Sequence, residues 1–338
     1  MTDLARPSSA GAASAACPPP ALGGAPAATA LAATDAAAAP RAARPRGRHG
    51  WAPPAWLQAL PMGLVFALFF VLPLALVAVV SLMDYNDYEI VPSFTLRSYT
   101  ETFEGCYDQL PGLCTILKTY WTTVELCFTV WLLTLVIGFT ISYFLAFHVR
   151  TVLMQTVLAL LCTVPFWTSN VIRMISWIPL LGRNGLVNQA LIGAGVVDVP
   201  VEWLLYSKFS VVLAFVHLFT FFMVIPIFNS MVRIDKRLIE AAYDAGASGW
   251  QTLWNVVIPL CRPGIVIGSI FVVTIVMGDF VTVGVMGGQQ IASAGKIIET
   301  RLNALQFPPA AANAVILLAA TLLIITALTK VVDIRKEL

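Results

Sequence analysis

Six stretches of this chain each run for about 20 residues almost free of charged side chains, the length a helix needs to cross the hydrocarbon of a bilayer. They lie near Pro61 to Leu82, Leu126 to Phe147, Val152 to Val171, Phe209 to Met231, Pro263 to Val285 and Ala310 to Thr329, and only the fifth holds a carboxylate, Asp279. Backbone groups in lipid must be satisfied within the segment, so this pattern predicts an all-α integral membrane protein with six transmembrane helices. Composition agrees: of 338 residues 59% are hydrophobic and 11% charged, a balance that a water-soluble domain of this size could not keep in solution. The net charge of +2 gives nucleic-acid binding no electrostatic support. Between the third and fourth runs, IRMISWIPLLGRNGLVNQALIGAG is apolar but broken by Arg173, Pro179, Arg183 and several glycines. That suits a re-entrant or interfacial helix better than a seventh span.

Lys and Arg set the orientation. With the N-terminus inside, Arg6, Arg41, Arg44, Arg46, Arg48, Arg150, Arg233, Lys236, Arg237, Arg262, Lys330, Arg335 and Lys336 face the cytoplasm. Arg97, Lys118, Arg173, Arg183, Lys208, Lys296 and Arg301 face out. The excess predicts both termini in the cytoplasm. The first outer loop is acidic, with Asp84, Asp87, Glu89, Glu101, Glu104 and Asp108. Cys106 and Cys114 flank a Pro-Gly turn there, a spacing compatible with a disulfide in an oxidising periplasm and equally with two free thiols. No Cys/His spacing suggests a metal. Residues 1–54, rich in Ala and Pro, have no helical or strand period and are expected to form a disordered cytoplasmic tail, with the transmembrane domain occupying 55–338. The basic run RAARPRGRH before the first span could lie on anionic lipid or simply hold the N-terminus inside.

The cytoplasmic loop 233–262, between spans four and five, is built like a small soluble element. Asp235 is an N-cap for a helix that places Leu238, Ala241, Ala242 and Ala245 on one face, with Arg237, Glu240 and Asp244 on the other. Gly246 can end it in a positive-φ turn, and Ser248 with Gln251 forms a capping box for a second helix. Trp250, Leu253, Trp254 and Val257 make a bulky face expected to pin the loop to the bundle. Pro259 and Pro263 are expected to close the unit and start the fifth span. Periodicity alone allows two readings, a protruding finger for a partner or an amphipathic loop lying on the membrane.

Glu240, Ala241, Ala242 and Gly246, followed at the right spacing by Val256, Ile258 and Pro259, resemble the EAA motif of binding-protein-dependent ABC importer permeases. Val256 and Ile258 replace that pattern's Ile and Leu conservatively. PFWTSNVIRMISWIPLLGRNGLVN and GDFVTVGVMGG are similar to segments of the spermidine/putrescine-type permeases, and the likeness runs from about residue 55 to the C-terminus. The resemblance implies a type I importer permease in a bacterial inner membrane, with this loop as a coupling helix-turn-helix docked on an ATPase. Glu240, Ala241, Ala242, Gly246 and Pro259 would carry the coupling. It implies as partners a cytoplasmic ABC ATPase dimer, a second permease subunit, a periplasmic solute-binding protein and membrane lipid. The chain has no G-x-x-x-x-G-K-[ST], so ATP and Mg would be held by the ATPase, and no cofactor or catalytic residue is expected here.

Asp279 is open to several readings: a carboxylate on the translocation path of a polyamine, a hydrogen-bonded group at the subunit interface, or a residue at the water boundary. His217 is expected to be a packing histidine, and Arg173 and Trp177 interfacial anchors. A stand-alone secondary transporter using Asp279 and His217 as ion sites is the alternative function, and it leaves the EAA match unexplained.

Overall fold

The computed structural model describes residues 55–86, 90–104, 106, 114–149 and 151–331. The expected tail, 1–54, and the acidic residues Asp87, Glu89 and Asp108 lie outside the described residues. From Leu60 onward the chain forms one unit.

Five helices are long and apolar enough to span a membrane: Leu60–Val80, Thr115–His148, Glu202–Val232, Gly249–Gly278 and Phe307–Lys330. A bent pair, Val152–Trp167 and Asn170–Gly193, is apolar enough to make a sixth crossing if its two arms together form one broken span. The boundaries depart from those read off hydropathy in ways that have physical causes. The second helix begins at Thr115 rather than Leu126, because nothing between them breaks a helix and only the lipid-immersed part must be uncharged. The third stops early. Its last turn, Val164–Trp167, tightens to a 3-10 helix around Pro165, and the chain then turns by 90°. At about 25 Å, that straight part is shorter than the ~30 Å hydrocarbon layer.

Past the bend, three short helices, Asn170–Ile175, Ile178–Leu181 and Leu186–Gly193, fold back on themselves. Asn188 is fully buried at their centre. It donates to the carbonyls of Gly182 and Val201 at 3.0 and 3.2 Å and accepts from the Val201 N–H at 2.8 Å, so its amide is satisfied on both sides.

The fourth and fifth spans form the centre, with the second packed on both. Phe215, Phe219, Met223 and Ile227 of the fourth are almost wholly enclosed, as are Cys261 and Val272 of the fifth. Polar groups link the helices where lipid offers them no partner. The Trp131 indole donates to Ser269 at 2.8 Å, the Ser142 hydroxyl to the Val224 carbonyl at 3.0 Å, and Ser210 to the Met286 carbonyl at 2.9 Å. Tyr120 donates to the Asn313 carbonyl at 3.3 Å, fastening the second span to the sixth.

The loop after the first span holds a two-stranded antiparallel hairpin, Met83–Tyr85 with Ile90–Phe94, and the helix Arg97–Thr102. Cys106 and Cys114 are disulfide-bonded with Cα atoms 4.7 Å apart, which ties the end of this outer segment to the start of the second helix. Tyr85 donates to Glu101 at 2.9 Å. Burial and the neighbouring Glu101 carboxylate both push the Tyr85 phenol up from its ordinary value, so it remains the donor.

The fourth and fifth helices approach closely at Gly264, where an added Cβ would sit 2.5 Å from the Pro226 carbonyl oxygen and clash with the Ser230 hydroxyl. Gly264→Ala should therefore destabilise the bundle by about 1–3 kcal/mol through forced separation of the helices. Gly193→Ala, at a position with nothing within 4 Å, should be neutral. Thermal unfolding of both variants in detergent compares the two; equal melting temperatures would contradict the close-packing account.

Candidate functional site

The loop after the fourth span folds as two capped helices. The Asp235 carboxylate accepts from the Arg237 N–H at 3.0 Å and opens the helix Lys236–Asp244. That helix closes on Gly246, whose φ is +84°. The Gly246 N–H reaches the Tyr243 carbonyl at 2.9 Å and the Ala247 N–H reaches the Ala242 carbonyl at 3.0 Å, so the last carbonyls are satisfied by a left-handed turn. Ser248 and Gln251 then form the reciprocal cap, Gln251 N–H to Ser248 Oγ at 3.4 Å and Ser248 N–H to Gln251 Oε1 at 2.8 Å.

The second helix does not end before the membrane. It runs from Gly249 to Gly278 as one helix, so the second helix of the loop and the fifth span are the same element. Pro259 and Pro263 were expected to separate them; instead a π-helical turn, Leu253–Val257, lies immediately ahead of Pro259. Its wider turn relieves the clash a proline ring makes with the preceding turn and absorbs the missing N–H. The first span uses the same device, a π turn at Ala67–Val71 just ahead of Pro73.

Glu240, Ala241 and Gly246 are exposed and Ala242 is half-buried, so these four stand together on one short helix and its terminus. Leu238 and Ala245 are also exposed, leaving the small-residue face open. Pro259 stands apart, half-buried on the long helix about 15 Å beyond its start. The expected bulky face divides. Val257 is buried and Leu253 half-buried, but Trp250 and Trp254 are 67% and 54% exposed and stack edge to face at 5.9 Å. Thr252 and Ile239 hold the loop to the bundle in their place, one buried and the other packed at the edge of the core. Periodicity placed the two indoles on one face; it could not say what that face meets.

Asp279 is not inside a span. The fifth helix ends at Gly278, and both Asp279 oxygens accept from Thr282, from its N–H and its hydroxyl at 2.8 Å each, with Asp279 just ahead of the helix Val281–Met286 and Thr282 within its first turn. His217 stands open on the fourth span and accepts from the Trp177 indole at 3.1 Å. Arg173 is packed within the chain rather than open on its surface: it is 9% exposed and lines a cavity of about 350 Å³ with His217. The signal in the sequence was a lone arginine flanked by Ile172 and Met174, which hydropathy assigns to the interface by default. The acidity of the loop after the first span is partly spent internally, since Arg97 pairs with Glu101 at 2.7 Å and with Asp84 at 3.4 Å. Among the described residues no cluster of His, Cys, Asp and Glu could hold a metal.

Removing the cap oxygens by Asp235→Ala or Ser248→Ala should each cost about 1 kcal/mol locally. Hydrogen exchange of the loop amides should rise by roughly fivefold or more with the spanning helices unchanged. Unchanged loop exchange in both variants would mean that the caps do not hold the finger.

Residues 51–337 match the family model of the binding-protein-dependent transport system inner membrane component. The chain is 32% identical over 252 residues to the spermidine/putrescine transport system permease protein PotB of Escherichia coli (strain K12), covering 74% of this chain and 87% of that protein. It is 29% identical over 249 residues to the protein of the same name from Haemophilus influenzae, covering 72% and 82%. In fold it is similar to a chain of a bacterial ABC transporter that imports the acidic polysaccharide alginate, with TM-score 0.62, 16% identity, and coverage of 82% of this chain and 93% of that one.

Proposed function

The chain belongs to the family of binding-protein-dependent transport system inner membrane components, and from that premise we propose that it carries polyamines of the spermidine/putrescine kind. It is an inner-membrane permease subunit of an ABC importer, a transport component and not an enzyme. The polyamine assignment is supported by the relatives' names and by a likeness covering most of both chains. In this reading a second permease subunit completes the path and a periplasmic binding protein delivers the solute. An ATPase dimer in the cytoplasm binds ATP and Mg. Both termini of this chain face that side.

The observation that carries the coupling role is the uninterrupted helix from the loop into the fifth span. A displacement imposed on the exposed Glu240 to Gly246 finger passes through the Gly246 turn to Ser248, and from there into the membrane along one helix. ATP-driven closure of the ATPase would then rock the two permease bundles between inward and outward openings. Glu240 offers a carboxylate to the ATPase, and Gly246 holds the finger's turn. Pro259 contributes through the shape of the helix.

The Asp279 carboxylate accepts from Thr282, which supports the hydrogen-bonded reading over a direct role on the translocation path. The ion-gradient carrier drew on Asp279 and His217. The first is a hydrogen-bond partner of Thr282, the second of Trp177, and family membership favours the importer.

Two variants test the coupling. Glu240→Lys reverses the docking charge, and Gly246→Val imposes about 1–2 kcal/mol of backbone strain at a positive φ. Both should insert normally and reduce ATP-driven uptake into proteoliposomes to background when the ATPase, second permease and binding protein are supplied. Full uptake by both would refute the assignment. Spermidine should also raise the melting temperature of the cognate binding protein; no shift with any polyamine would remove that substrate class.

A further inference from the structure

Arg173 combines features that an isolated chain leaves unresolved. Its guanidinium is buried, its Nη2 donates to Asn170 Oδ1, and its Nε is enclosed without any acceptor. Among the described residues no Asp or Glu is paired with it. It lines a cavity of about 350 Å³ whose other walls are mostly apolar, Ile137, Phe166, Leu213 and Val224 among them. Beside it on the same short helix Val171, Ile172 and Ile175 are 44%, 65% and 46% exposed. A buried cation beneath a bare apolar rim has the composition of an interface centre, where arginine is enriched and charge pairs are shielded from water.

We infer that Arg173 is one half of an intramembrane ion pair completed by a carboxylate of the second permease subunit, an inference that rests on the two-permease reading above. Depth decides against a lipid phosphate. His217, which shares the cavity, lies nine residues into the fourth helix from Lys208, about 13 Å below its outer end, whereas phosphates remain at the headgroup level. Charge decides against the solute, because a guanidinium repels a polycation. A carboxylate on a packed helix supplies the missing acceptor to Nε in a charge-assisted bond, and the same helix covers the apolar rim. An unpaired cation at this depth is costly, so the pair would favour the assembled over the separated subunits.

The test uses the full complex, with this chain tagged and co-expressed with the second permease, the ATPase and the binding protein. Arg173→Gln and Arg173→Glu should reduce co-purified second permease by at least about tenfold, the scale of one desolvated charge pair. In the Arg173→Glu background, reversing one membrane-segment Asp or Glu of the second permease to Arg should restore it. Wild-type co-purification by both variants overturns the pair, as does failure of every reversal. Loss of bound phospholipid by native mass spectrometry with the second subunit retained overturns it in favour of lipid. If both variants fail to insert, Ile172→Cys keeps Arg173 in place and is cross-linked against cysteines set beside each partner carboxylate. A disulfide at one of them supports the pair and none overturns it. Should the wild-type chain capture no second permease, the two-permease reading itself fails, a result separate from loss in the variants alone.

Discussion

The helix from Gly249 to Gly278 keeps its continuity through two prolines, and that continuity joins the loop between the fourth and fifth spans to the bundle. Thirty residues of α-helix reach about 45 Å, from the Ser248 cap to the far end of the fifth span. A proline interrupting a regular α-helix removes one hydrogen bond and clashes with the preceding turn, which commonly bends it. The π turn at Leu253–Val257 takes up both effects ahead of Pro259. Were the helix broken there, the finger would hang from the fourth and fifth spans by flexible joints, and a push on Glu240 would be lost in bending.

The features legible in the sequence are those whose chemistry is local. Asp235, Gly246, Ser248 and Gln251 act through backbone groups within a few residues, so their identity and spacing determine the geometry they form. Features that depend on the environment were not legible. Hydropathy marks where charge disappears, and the second helix continues outside that zone to Thr115 while the fifth stops before Asp279. Trp250 and Trp254 share a face by periodicity, and only the fold reveals that the face points away from the bundle. Arg173 was assigned to a surface because arginine usually belongs there; the 90° bend carries it under the fourth span instead.

The loop after the first span and its neighbours make the same point about charge. Counting acidic residues suggests a loop that attracts cations, yet Arg97 lies between Asp84 and Glu101, and Lys208 meets Glu125 at 2.8 Å. These pairs are largely exposed and individually worth little in stability. Their effect is on the field, because a neutralised carboxylate no longer contributes to long-range attraction. Delivery of a cationic solute at this loop would then depend on the docked binding protein more than on the loop's acidity.

Burial among the spans is uneven, and the unevenness is informative. In the most apolar window of the fourth and fifth spans 44% of residues are buried, in the second and sixth 28%, and in the first none. The first helix therefore gains little from packing within its own chain. Its Met62, Phe69 and Phe70, all more than 60% exposed, need an apolar surround, which lipid supplies on one side and a second bundle can supply on another. The fourth and fifth spans, by contrast, are held by their own chain and connect directly to the finger. A motion entering at the loop thus meets the best-packed pair first, and a packed pair moves as a body where a loosely held helix would yield.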